Sequence, residues 1–246
     1  MASTYKRIGT NDYVATKDLL HEAIPFTGSI ISGTYNEENI KDYSHGMFQT
    51  TYDYPYLSSS ANEIFDITCG YSNNSLFSSS ANNQNSKKIN IYTQMAQVLA
   101  GHDTTGSILD FDLDGNIAAG GAKIREAFFV CFKRLLMKDE VKKDSFRMEV
   151  YKQAPAVGGN GPGFQGDAAE KVTLGDYGAS TTYRANSPAG EYGIIYTSSA
   201  TPNINSGVGL QYYQAGVAVL SSSIFLASSS ATIDWRPQNN FWNRAS

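Results

Sequence analysis

The apolar positions of this chain come in short runs, broken by clusters of Gly, Ser, Asn and Pro, and their period separates helix from strand in most segments. Residues 1–17 form a polar arm. Asp18 to Ala23, with Leu19 and Leu20, reads as one or two helical turns stopped by Pro25. Thr27 to Tyr35 carries Ile30 and Ile31 between glycines and reads as a strand. Tyr43, Phe48, Tyr52, Tyr54 and Tyr56 then follow at near-alternate places. The five letters Ser58-Ser59-Ser60-Ala61-Asn62 recur at Ser78-Ser79-Ser80-Ala81-Asn82, each time before a segment that reads as helix. Ser60 with Glu63 matches a capping box, so a short helix is expected from Asn62 to Thr68, ending at Gly70. The second helix has the stronger pattern: Ile91, Tyr92, Met95, Val98 and Leu99 share one face, and Gly101 supplies the stop.

From Ile124 to Leu136 the spacing fits either element, and the aromatic run Phe128-Phe129-Val130-Cys131-Phe132 decides for a buried strand. A polar turn from Lys138 to Asp144 leads into the alternating Phe146 to Tyr151, so these two strands are expected to form a hairpin. Gln153 to Gly166 is a Pro/Gly loop. Beyond it, Val172 to Leu174, Thr181 to Arg184, Gly190 to Thr197 and Gln211 to Leu220 read as strands. The expectation is a strand-rich α+β fold with antiparallel sheets and a few helices, mainly in the first half. Its organisation is an arm (1–17), one α+β domain (18–231, with the loop near 153–166 as a candidate division) and a tail (232–246) holding both tryptophans, Trp235 and Trp242.

Composition narrows the function. The 246 residues carry a net charge of −4, with 17% charged residues against about 25% in an average domain. Aromatic content of 12% excludes intrinsic disorder, and the acidic balance argues against nucleic-acid binding through a basic surface. No apolar run is long enough for a membrane-spanning helix, and nothing at the N-terminus reads as a secretory signal, so folding in a cytoplasm is expected. A surface this poor in charge and rich in Tyr, Ser, Asn and Gly suits contact with other surfaces. Cys69 and Cys131 lie among apolar residues and read as buried free thiols.

The sharpest local motif is Asp110-Phe111-Asp112-Leu113-Asp114-Gly115-Asn116-Ile117. It matches the opening of an EF-hand loop, with Asp110, Asp112 and Asp114 as candidate calcium ligands, but Gly121 stands where the bidentate Glu belongs. An acidic Asx-type turn is the preferred reading, with no metal or other cofactor expected. Gly161 to Gly166 spells G-x-G-x-x-G without a strand before it or a helix after it, and reads as a loop. His21, His45 and His102 have no metal-ligand spacing. The pairs Glu37-Glu38 and Asp139-Glu140 read as solvated surface. No activated-nucleophile context occurs, so a non-enzymatic protein is expected. Partner-binding candidates are Tyr52, Tyr54 and Tyr56, together with Trp235, Arg236 and Trp242, because a short tail cannot bury two indoles by itself.

Several blocks look familiar: Lys17-Asp18-Leu19-Leu20-His21-Glu22-Ala23-Ile24-Pro25, Ser29 to Tyr35, Asn39 to Gln49 and Tyr52 to Asn62. Arg134-Leu135-Leu136, Pro188-Ala189-Gly190-Glu191-Tyr192-Gly193-Ile194 and Tyr213-Gln214-Ala215-Gly216-Val217 extend the agreement. Together they resemble virion structural proteins of large contractile-tailed marine phages, cyanophages among them. The resemblance implies a structural subunit of the tail, baseplate or neck. It would be made in the host cytoplasm and assembled into the virion with other virion proteins, as a homo-oligomer within a ring. The other expectation is a carbohydrate- or receptor-binding surface module of the particle, with exposed aromatics beside Asn and Asp.

Overall fold

The computed structural model describes residues 23–24, 37–79, 83–117, 120–151, 171–197 and 207–225. Fourteen strands and three α-helices lie within them: β1 (Ala23–Ile24), β2 (Ile40–Asp42), β3 (Phe48–Tyr52), β4 (Glu63–Tyr71), α1 (Asn83–Leu99), β5 (Phe111–Asp112), β6 (Lys123–Ile124), β7 (Glu126–Phe132), α2 (Arg134–Met137), β8 (Glu140–Val141), β9 (Arg147–Tyr151), β10 (Lys171–Gly175), α3 (Ala179–Thr182), β11 (Arg184–Ser187), β12 (Gly190–Ile195), β13 (Gly209–Tyr212) and β14 (Val217–Ser221). Eight of the strands form one sheet in the order β11-β12-β13-β14-β7-β4-β3-β2, every neighbour antiparallel. The protein is therefore strand-dominated α+β, as the alternating runs imply.

The centre of the sheet is β7, and its unbroken apolar run has a physical reason. Ala127 and Phe129 face one layer, where Tyr92, Ala96 and Leu99 of α1 pack with Phe111, Ile124, Leu210, Tyr212 and Val219. Phe128 and Val130 face the other, with Cys69, Phe146, Leu174, Ala218 and Leu220 and the β9–β10 hairpin. A strand covered on both faces shows no polar alternation. On the helix side Gly70 of β4 permits the closest approach: a Cβ there would stand 2.7 Å from the Lys88 carbonyl and 2.8 Å from the Tyr92 nitrogen. Helix α1 ends as its pattern requires, with Gly101 at φ +88° donating its N–H to the Ala96 carbonyl.

The hairpin layer is tied to the sheet by Asp176, a fully buried carboxylate. It accepts the N–H groups of Asp144 (2.8 Å) and Phe146 (2.9 Å), the Tyr213 hydroxyl (2.9 Å) and Arg147 Nη1 (3.2 Å). Burial pushes its carboxyl up to about 6, with the Tyr213 hydroxyl foremost among the donors opposing the rise.

Several expectations are corrected. Residues 63–68 are not a helix but the start of β4, because Phe65 and Ile67 pair over long range with both β3 and β7, with Ile64 at a bulge. The capping glutamate is used elsewhere: Glu63 accepts the Tyr52 hydroxyl and pairs with Lys133. The strands at 126–132 and 147–151 exist but do not pair; β7 lies between β14 and β4, while β9 pairs with β10. Thr181 belongs to α3, which starts after left-handed Gly178, and the strand begins at Arg184. The helical reading fails at Ala23, which pairs in parallel with Glu140. Glu140 is also not solvated surface: it is buried and accepts Gln214 Nε2 at 3.0 Å. The expected strand at Thr27 to Tyr35 and the loop at Gln153 to Gly166 lie outside the described residues.

Candidate interaction surface

The tyrosine segment lies at the edge of the large sheet, where, among the described residues, β2 has only β3 as its neighbour. Tyr52 is a supporting post rather than a contact residue. It is buried, packs 6.2 Å from the Tyr56 ring and donates its hydroxyl to Glu63 Oε1 at 2.9 Å. Burial, then the Glu63 carboxylate, pushes its phenol up to about 12. After it the chain turns in a loop held at its base by Asp53, whose carboxylate accepts both the backbone N–H (2.6 Å) and Nδ2 (2.9 Å) of Asn62. Those bonds hold the Asp53 carboxyl below its usual range. The Tyr56 N–H is anchored on the Glu38 carbonyl at 2.9 Å. The loop is thus pre-organised and presents Tyr54 (52% exposed), Tyr56 (37%) and Leu57 (87%), with Ile40 of β2 at 38%.

A charged network underlies this end of the sheet. Lys133 Nζ lies 2.9 Å from both Glu63 Oε2 and Asp66 Oδ2, and Thr50 Oγ1 donates to Asp66 Oδ1 at 2.6 Å. Burial pulls the Lys133 ammonium down, but Asp66 and Glu63 more than offset it and hold it above its ordinary range. Lys133 in turn holds Glu63 below the usual carboxylate range. A lysine pinned in its charged form between two carboxylates is no nucleophile. The cysteines have no activated sulfur either. Burial pushes Cys131 up to about 11. It also raises Cys69, although Lys88 Nζ lies 3.1 Å from its sulfur.

The far end of the same edge holds an aromatic stack. Gly46, at φ +62°, closes a turn by donating its N–H to the Tyr43 carbonyl at 2.9 Å. The turn stacks Tyr43 on His45, with centroids 5.3 Å apart and planes 7° from parallel. Phe48 packs against both, at 4.8 and 4.9 Å. Lys41 Nζ stands 5.0 Å from the Tyr43 ring centre, and the Met47 N–H donates to His45 Nδ1 at 3.1 Å. His45 and Met47 are exposed, and a shallow cleft beside them is lined by Gly46 to Gln49, Ile67 to Cys69 and Lys88. The alternation of Tyr43 and Phe48 does not reveal this cluster, since the Gly46 turn brings His45 against both rings.

The Asp-rich loop is the turn preferred from its sequence. Asp110 accepts the Ser72 hydroxyl at 2.6 Å, Asp112 accepts the Asp114 N–H at 3.3 Å, and Asp114 accepts the Asn116 N–H at 3.0 Å. Asp112 is fully buried and its cation is the ammonium of Lys123. Among the described residues no group of three His, Cys, Asp or Glu side chains is placed to hold a metal ion. Trp235, Arg236 and Trp242 lie outside the described residues. No protein-family model, curated protein or solved structure matches this chain.

Proposed function

We propose that this chain is a non-enzymatic structural subunit of a tailed-phage particle, in the tail, baseplate or neck, that works by assembly with copies of itself and with other virion proteins. The observation that supports this most is the β2 edge, where Ile40, Tyr54, Tyr56 and Leu57 stand exposed on a pre-organised frame. Aromatic and aliphatic side chains presented by a rigid frame lose little conformational freedom on docking, and such residues dominate interface energetics. The resemblance to phage virion proteins turns a contact surface into a particle subunit. A sugar-binding role finds less support: Asp53 and Asn62, the polar groups beside Tyr54, are spent on each other.

The test is incorporation. Particles assembled with Tyr54→Ser plus Leu57→Ser, or with residues 232–246 removed, are expected to contain less of the subunit than wild type. Full incorporation of both variants would remove this surface and the tail from the account. A purified protein that remains monomeric at every concentration and binds no virion component would count against assembly altogether.

A further inference from the structure

We propose that Lys123 and Asp112 join covalently, Lys123 Nζ and Asp112 Cγ forming an isopeptide (amide) bond across β5 and β6 with Asp114 as the proton relay. The bond does not depend on the assembly reading. The two residues are direct partners in the antiparallel pair, Asp112 opposite Lys123 and Phe111 opposite Ile124. Their neighbours are fixed on both sides. Phe111 and Ile124 are buried in the core that α1 covers. The Tyr92 hydroxyl of that helix accepts the Phe111 N–H at 3.2 Å and donates to the Ile124 carbonyl at 2.6 Å, so one side chain clamps both strands. On the other side the Leu113 N–H donates to the Ala122 carbonyl at 3.0 Å. Held in this way, Lys123 Nζ lies 2.5 Å from Asp112 Oδ2. The carboxyl carbon is one C–O bond farther, within about 3.8 Å, near the separation from which intramolecular attack starts.

The surroundings supply what a dehydration needs. Asp112 is fully buried and the Lys123 side chain is 20% exposed. Burial withdraws water from both charges, which favours passing a proton from Nζ to Oδ2 and leaves an amine facing a carboxylic acid. Burial raises the Asp112 carboxyl above its ordinary range, and contact with the Asp114 carboxyl adds to the rise while Lys123 opposes it. Lys133 differs, because its partners Glu63 and Asp66 are 44% and 26% exposed and keep their charges in contact with water. The Asp114 N–H donates to Asp112 Oδ1 at 3.3 Å, on the oxygen where negative charge develops as Nζ adds to Cγ. The Asp114 carboxyl reaches the same centre over Gly121. A methyl built on Gly121 would meet Asp114 Oδ2 at 3.3 Å and the two Asp112 oxygens at 3.5 and 3.7 Å, so the space above this glycine gathers both carboxyls. Asp114 is thus placed to take a proton from Nζ and return it to Oδ2. The Nζ–Cγ bond forms, the Cγ–Oδ2 bond breaks, and the two protons given up by the ammonium leave with Oδ2 as water. The step needs no oxidant and no co-reactant. The unbonded pair is an ordinary buried ion pair, and stability measured on unbonded protein reports it as such.

Mass spectrometry of the full chain, incubated folded at neutral pH and then denatured, tests the bond. The expected mass is one water, about 18 Da, below that of the sequence. A succinimide at Asp114-Gly115 would lose the same mass, so the position of the loss decides. No Lys or Arg lies between Lys88 and Lys123, and Arg125 is the next cleavable residue. Trypsin is therefore expected to release residues 89–125 as one peptide, because a bonded Lys123 is not cut. A succinimide leaves Lys123 open to trypsin and regains its water in mild alkali. Lys123→Arg keeps the cation but cannot form the bond, and is expected to retain the full mass. Asp114→Ala, with circular dichroism unchanged, is expected to lose its water at least about tenfold more slowly. A wild-type chain that keeps its full mass, or a loss that survives Lys123→Arg, overturns the bond. A loss at the wild-type rate in folded Asp114→Ala overturns the role given to Asp114.

Discussion

Asp176 couples the stability of the fold to pH in an unusual direction. Its carboxylate is fully buried, and burial raises it from 3.8 to about 6. The folded state therefore binds its proton more tightly than the unfolded chain does. The resulting stabilisation is complete below pH 3.8 and is lost as pH rises through about 6. At 1.36 kcal/mol per pH unit the difference from 3.8 to about 6 amounts to about 3 kcal/mol. The perturbation is Asp176→Asn, which keeps one amide oxygen for either the Phe146 or the Asp144 N–H, now bonded to separate carboxylate oxygens, and cannot ionise. Urea unfolding of both proteins at intervals from pH 4 to pH 7 isolates the site, because other carboxyls titrate alike in the two. The free-energy gap between variant and wild type is expected to move by about 2 kcal/mol in favour of the variant as pH rises across that range, since at pH 4 the unfolded carboxyl is already half ionised. A constant gap would refute the reasoning: the four donors would then outweigh burial and hold Asp176 ionised throughout.

The remaining predictions concern packing and the acidic loop. Gly70→Ala drives a methyl into the backbone of α1 at Lys88 and Tyr92, and thermal or urea unfolding should show a loss of at least about 2 kcal/mol. Lys123→Met strips the cation from buried Asp112 and should cost about 3 kcal/mol at neutral pH, largely recovered by adding Asp112→Asn. Millimolar calcium should leave the melting temperature of the wild type unchanged, since Lys123 fills the cation position; a clear rise would reinstate the loop as a calcium site.

The elements that depend on neighbours in sequence were legible in the chain. Helix α1, with its Ile91, Tyr92, Met95 and Leu99 stripe and Gly101 stop, forms by local hydrogen bonds that its own period reports, although Val98, which the period placed on the same face, is exposed. The buried strand at 128–132 was readable because a two-faced apolar run has few other uses, whereas the single strand expected at Gln211 to Leu220 is two strands, β13 and β14, which pair antiparallel across a turn where Gly216 donates its N–H to the Tyr212 carbonyl. The Asp110 to Asn116 turn followed from carboxylates bonding their own backbone.

What the chain alone could not decide is partnership over distance. Residues 62–68 carry both a capping signal and β-branched side chains. The outcome was set by β3 and β7, which offer β4 a ladder on each side, and by Lys133 and Tyr52, which claim the capping glutamate. The 146–151 strand pairs with β10 across an intervening stretch rather than with β7, because β7 is already paired on both edges by β4 and β14. Asp176 stands in no motif; it becomes a hub only where Asp144, Phe146, Arg147 and Tyr213 converge. The tyrosines at 52, 54 and 56 look equivalent in sequence, yet folding buries the first as a post and leaves the other two exposed at a sheet edge. Composition set the expectation of a surface poor in charge and rich in aromatic groups. Only the tertiary structure selects which aromatic groups remain free, because exposure is a property of the packed sheet and not of any residue within it.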